Sequence, residues 1–243
     1  MFQERLIEFS HEKADWLIPP LPTKKIVPEW FKKIPNYYDL GNKYDYQTVK
    51  KCMPFLDTLT SGYIIFNEAD IAFWENTEGA VNWSYNKDVL GIVDKLRIGI
   101  NTHSIPQYSD KMYYANEYEF GFKYVNPWTI KTPKNYSCLF TNPFNSEERE
   151  IRILDGIVDT DEYDSPVNFP FFLKKIKNPH EPFILKKGTP IALVFPFQRD
   201  SWKMKVKKTT KKEKEKSEIN FWKIFGDMTD SYKKYNWKKK NYD

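Results

Sequence analysis

Cysteine is scarce in this chain. Cys52 and Cys138 are the only two, and they stand far apart. No Cys-x-x-Cys pair and no metal-type spacing exists, which excludes a cysteine zinc site or a dithiol redox motif, and both thiols are expected to be reduced and structural. Long apolar runs are missing as well. None approaches the roughly 18 residues of a membrane span, and the start, M-F-Q-E-R-L-I-E-F, is too charged for a secretory signal. The expectation is a cytoplasmic protein without membrane association. No G-x-S-x-G elbow and no phosphate-binding P-loop is present. A strong charge of either sign is also absent. The 38 Lys and Arg stand against 33 Asp and Glu, a net charge of +5, which is not the footprint of a dedicated nucleic-acid binder.

What the chain does have is apolar and aromatic residues in short alternating runs. It has 243 residues, 40% hydrophobic and 17% aromatic. That length suits one large all-β domain with extensions, or two small domains. Residues 62–66, 71–74, 81–84, 96–100, 117–124, 128–131, 136–141, 151–154, 157–159, 167–173, 183–185 and 191–195 read as strands. In the clearest of them, Tyr118, Phe120, Phe122 and Tyr124 point one way and Glu117, Glu119, Gly121 and Lys123 the other. Many short strands about ten residues apart, broken by Pro, Asn and Gly, predict a mainly antiparallel sandwich or barrel. Residues 1–60 read as an N-terminal arm with short helices, one starting at Pro28 and another over Thr48–Leu59. Residues 61–200 read as the β-rich core. Residues 201–243 read as a Lys-rich linker, Lys203–Lys216, followed by an amphipathic helix carrying Ile219, Trp222, Phe225, Met228 and Tyr232.

The stretch Gly156-Ile157-Val158-Asp159, then Tyr163, then Gly188-Thr189-Pro190-Ile191-Ala192, resembles the trimeric deoxyuridine triphosphatases. The resemblance covers about 45 residues. It implies a distorted-barrel, β-clip-like core, a tight hairpin at Gly156–Tyr163, and a homotrimer. It also implies Asp159 as the general base that activates water, with Gly156 and Tyr163 in the nucleoside-binding hairpin. Mg²⁺ is the cofactor only on that reading; otherwise none is assigned. The family's other motifs fail here. Ser61-Gly62-Tyr63-Ile64-Ile65 has Ile at the position of the family's Asp. Tyr136–Asn142 lacks the phosphate-binding Arg, and the chain ends in Lys and aromatics rather than a glycine-rich tail. The fold without the activity is therefore expected.

Pro28-Glu29-Trp30-Phe31, Cys52-Met53-Pro54-Phe55-Leu56-Asp57, Ser61-Gly62-Tyr63 and the Lys/Tyr/Trp tail resemble an uncharacterised family of tailed-phage proteins. That resemblance implies an accessory or assembly role, in a host cytoplasm or a virion. The aromatic surfaces would bind a protein partner or a second copy of the chain, with a nucleotide as a further ligand. Two enzyme readings stand beside it. One is nucleotide hydrolysis by Asp159. The other is a metal-dependent reaction at His103, assembled with His180 and Glu117 or Glu119; no His-x-His spacing supports a metal, and none is assigned.

Overall fold

The computed structural model describes residues 5–39, 41, 46–96, 98–103, 107–109, 111–147, 149–178, 181–226 and 230–243. In chain order the strands are β1 (Glu8–Ser10), β2 (Leu21–Pro22), β3 (Tyr37–Tyr38), β4 (Tyr46–Gln47), β5 (Tyr63–Phe66), β6 (Ile71–Glu75), β7 (Val81–Tyr85), β8 (Gly99–Thr102), β9 (Glu117–Val125), β10 (Thr129–Lys131), β11 (Tyr136–Thr141), β12 (Ile151–Ile153), β13 (Gly156–Val158), β14 (Phe169–Lys174), β15 (Phe183–Leu185) and β16 (Pro190–Gln198). The helices are α1 (Glu29–Lys33), α2 (Met53–Thr60), α3 (Lys87–Leu96), α4 (Lys211–Gly226) and α5 (Ser231–Tyr235). The chain divides into two compact units, 1–23 with 62–199 and 24–61 with 200–243.

The first unit is built from antiparallel sheets. Their strand orders are β13-β11-β16-β5-β2, β12-β14-β9-β8 and β15-β6-β7, with the pair β1-β10 beside them. Among the described residues none closes into a barrel or curls strongly, and 22% of the chain is helical. The all-β, barrel and β-clip expectation is therefore wrong, and the deoxyuridine-triphosphatase-like fold falls with it. Short strands at regular spacing fix strand number and length, but closure depends on which edges pair. Here β13 and β2 end one sheet and β12 and β8 another. The sequence reading also ran a strand from Leu96. Residues 87–96 are instead α3, which buries Val93 and Leu96 one turn apart and leaves Leu90 and Ile92 exposed.

The core of this unit is aromatic. Phe122 is fully buried; its ring lies 5.2 Å from Phe171, 5.8 Å from Phe73 and 5.8 Å from Trp83. Two of these three contacts are edge to face, the favoured arrangement of ring quadrupoles. The alternation along β9 does bury Tyr118, Phe122 and Tyr124. The opposite face is not solvated throughout, because Glu117 and Gly121 are buried too. A Cβ on Gly121 would stand 2.0 Å from the Tyr108 ring. Glycine is thus what lets that ring lie over β9. Beside it, Arg152 Nε and Nη2 donate to the two oxygens of Glu117, each at 2.7 Å. This is the charge-assisted fork that arginine makes with a carboxylate. The Arg152 guanidinium lies over Tyr114 and Phe172, which seals the pair.

The second unit is smaller and more helical. Phe31 stacks on Phe55 at 5.8 Å and Trp30 packs edge-on to both. Phe31, Met53 and Leu59 are its buried apolar side chains among the described residues. Around them, Asp57 accepts from Trp237 Nε1 at 3.0 Å and Lys240 Nζ at 2.5 Å, and Lys51 Nζ bonds Asp230 at 2.8 Å. The expected linker is helix from Lys211 onward. Thr210 and Glu213 form a reciprocal cap. Thr210 Oγ1 accepts from Glu213 N at 3.3 Å, and Glu213 Oε2 accepts from Thr210 N at 2.9 Å. That lock starts α4 inside the lysine run. Met228 lies outside the described residues.

Candidate functional site

Asp159 follows the last residue of β13, whose Val158 sits opposite Cys138 of β11. The partner of β13 is β11, and residues 160–162 form a turn rather than a returning strand. Glu162 N and Tyr163 N both donate to the Asp159 carbonyl, at 3.0 and 2.9 Å, so the expected hairpin at Gly156–Tyr163 is a strand and a turn. Gly156 faces open space at the position of a Cβ, and Tyr163 is exposed.

The Asp159 carboxylate is held by its neighbours. Ser137 Oγ donates to it at 2.6 Å, and Arg199 Nη1 stands 3.2 Å away. Arg199 also makes a two-pronged bond to Asp161, at 2.7 and 2.5 Å, and donates to the Tyr136 carbonyl and Ser137 Oγ. Asn135 N donates to Asp161 at 2.8 Å, while the Asn135 carbonyl accepts from Arg199 N. The Arg199 guanidinium and, after it, the Asn135 amide hold the Asp161 carboxyl down to about 2. The cluster therefore ties the end of β16 to β11 and to the turn after β13. A guanidinium shared between Asp159 and Asp161 takes the place a divalent cation would need. The pair does not fit Mg²⁺, and no step is derived through one. Sequence reasoning found Asp159 but missed Arg199, which follows the last strand and matched no motif.

The His103 reading loses its partners. Its Nδ1 bonds Gln107 Oε1 at 2.8 Å and its ring packs edge-on to Tyr108. Glu117 is taken up by Arg152, Glu119 is exposed, and His180 lies outside the described residues. Among the described residues, no group of three or more His, Cys, Asp or Glu could hold a metal ion.

A second polar cluster lies under the N-terminal segment. Glu68 is 7% exposed; its Oε2 accepts from Ile18 N at 2.9 Å. Glu68 Oε1 and Trp128 Nε1 are buried without a hydrogen-bond partner among the described residues. Tyr124 OH accepts from Glu68 N at 3.3 Å and donates to the Phe66 carbonyl at 3.2 Å. Burial pushes the Glu68 carboxyl up to about 7, against the pull of the Ile18 amide and of Lys187. Phe9, Ala14, Asp15, Leu17, Pro19, Pro20 and Trp128 line a cleft of about 550 Å³ here. The stretch Ile64-Ile65-Phe66-Asn67-Glu68-Ala69-Asp70-Ile71 carries two acids, and no motif singles out Glu68.

Comparison with family models, curated proteins and solved structures finds no match. What the chain does must be argued from its own surfaces. The most exposed tryptophans stand in the second unit, Trp202 at 88% and Trp222 at 69% against 56% for Trp16 of the first, and Met204, Val206, Ile219 and Phe221 are exposed with them. From Ser201 to Lys223 every residue is exposed except Glu213.

Proposed function

We propose that this chain acts by binding rather than by turnover. It would be an accessory or assembly protein, of the kind its phage-like motifs suggest, that engages a partner through the aromatic side chains of its second unit. One observation carries the reading. The run 201–223 keeps Trp202, Trp222 and a series of lysines in solvent. A folded chain gains nothing from apolar side chains held there, so they mark a contact surface. Charge indicates the partner's sign. The second unit has 21 Lys against 11 Asp and Glu, a net of +10, while the first has 17 Lys and Arg against 22 acids, a net of −5. An anionic partner therefore suits the second unit. Asp159, fastened to Ser137 and Arg199, supports no comparable case for catalysis.

The test is retention of the full chain on a heparin column, with and without the substitutions Lys203→Glu, Lys205→Glu and Lys208→Glu. Elution at much lower salt for the triple variant is expected; equal elution refutes the reading. The rival, nucleotide hydrolysis by Asp159, is tested with deoxyuridine triphosphate and Mg²⁺. Pyrophosphate release that vanishes in Asp159→Ala would establish the rival. Light scattering on the same samples reads self-association, including the trimer.

A further inference from the structure

We infer that the second unit binds single-stranded nucleic acid, with Lys203, Lys205 and Lys208 on phosphates and Trp202 and Trp222 stacked on bases. This rests on the reading of the second unit as a surface for an anionic partner and names that partner's chemistry.

The first ground is unbalanced charge. Lysines outnumber acids by ten within the second unit, so at least ten have no acid of their own unit to pair with one to one. Several acids are already engaged: Asp57 with Lys240, Asp230 with Lys51, and Glu213 with Lys207. Such an excess attracts a polyanion and releases its counterions on contact.

The second ground is how the aromatics are distributed. Residues 202–208 read Trp-Lys-Met-Lys-Val-Lys-Lys, all exposed and outside regular secondary structure. Phe221-Trp222-Lys223 repeats the mixture on α4. A membrane-surface helix gathers its apolar side chains into one stripe. At about 100° per residue, Ile219, Trp222 and Phe221 fall within an arc of about 160° on α4. Trp202, Met204 and Val206 stand outside any helix and alternate with lysines, an arrangement with no stripe for a bilayer. It suits separate platforms, each taking the face of one base beside a lysine for the next phosphate. A duplex hides its base faces in the stack, so the single strand is the form these side chains can use. An acidic protein surface would use the same lysines and indoles; retention on heparin without binding to either oligonucleotide would point to that partner and overturn the inference.

The experiment titrates full-length protein into labelled oligothymidylate and oligouridylate of about 20 nucleotides, long enough for the usual site sizes, and into a duplex of the same length. Fluorescence anisotropy and tryptophan emission are both read. Expected are quenching on binding, and an affinity that falls at least about tenfold between about 50 and 200 mM salt. Trp202→Ala and Trp222→Ala should each weaken single-strand binding by about fivefold or more, with unchanged circular dichroism. The two oligonucleotides distinguish DNA from RNA as the preferred strand. Binding to duplex as tight as to single strand and indifferent to both tryptophan variants overturns the inference, as does preference for phosphatidylserine vesicles. If heparin retention persists in such a result, only the nucleic-acid assignment falls. If retention is also lost, the binding reading falls with it.

Discussion

The two units spend most of their aromatic residues differently, although the first also leaves Trp16, Tyr114 and Tyr163 in solvent. In the first, Phe73, Phe122, Phe169, Phe171 and Phe172 are closed off from water, and the carboxylates of Glu117 and Asp161 each meet an arginine. In the second, Phe31 and Phe55 make a small nucleus while Trp202, Trp222 and Tyr235 remain outside. A count of Phe, Tyr and Trp treats these as equal. Burial separates aromatics that stabilise the fold from aromatics still available to something else. Charge divides the same way, since the mild total of +5 is the sum of an acidic unit and a strongly basic one.

The contrast is sharpest when the same kind of truncation is made on each side. Phe122→Ala should cost about 3–5 kcal/mol, because it empties a filled site ringed by Phe73, Trp83 and Phe171. Trp202→Ala should stay within about 0.5 kcal/mol. Urea denaturation of both variants checks this; a large loss from Trp202→Ala would mean that the residue is packed, and would break the comparison. Next in size is Arg152→Ala, expected to cost about 3 kcal/mol, because it leaves Glu117 buried and unpaired. Adding Glu117→Gln to that variant should recover part of the loss.

A smaller effect should depend on pH. The Glu68 carboxyl titrates at about 7 when folded, against an ordinary value of 4.5. Between those values the folded chain keeps a proton that the unfolded chain has released, so stability falls as pH rises through this window and levels off above it. Glu68→Gln removes that component. The variant should gain on the order of 2 kcal/mol over the parent in going from about pH 4.5 to about 8, read as converging or crossing melting temperatures. Parallel melting curves across the window would show that Glu68 is not the titrating group. The least effect is expected from Lys51→Ala, about 0.5 kcal/mol, since the Lys51–Asp230 bond is partly solvated.

Much of the strand content was legible because alternation is local. The runs at 71–74, 136–141 and 191–195 fall on β6, β11 and β16. What escaped depends on contacts far apart in sequence. Tyr108 covers the outer face of β9, which period-two reasoning assigns to water. Edge pairing decides between open sheets and a barrel, and short strands do not reveal their edges. α3 escaped although its periodicity is helical: only Val93 and Leu96 are well buried among its described side chains, while Leu90 and Ile92 face solvent. At the candidate site, Asp159 stood out by its motif, whereas Arg199 and Glu68 gain their meaning only from partners 38 and 50 residues away. The threonine cap of α4 was readable in Thr210-Lys211-Lys212-Glu213, but the lysines around it suggested a solvated linker.

β2 and β5 lie side by side, with Leu21 opposite Ile64, and Thr23 N bonds the Gly62 carbonyl at 3.0 Å. Gly62 has a φ of +88°, and a Cβ there would stand 2.6 Å from the Val194 carbonyl oxygen. The return into the sheet is therefore fixed by glycine, which alone takes that conformation at no steric cost. The excursion over 24–61 leaves the first unit and re-enters it at neighbouring backbone positions. A sheet with such a seam can exchange what it carries there while its own register stays as it was. What it carries is the second unit, whose segments 24–61 and 200–243 are fastened together where Asp57 meets Trp237 and Lys240. A change of length or charge in one segment must therefore be matched in the other, while β5, β11 and β16 keep their pairing.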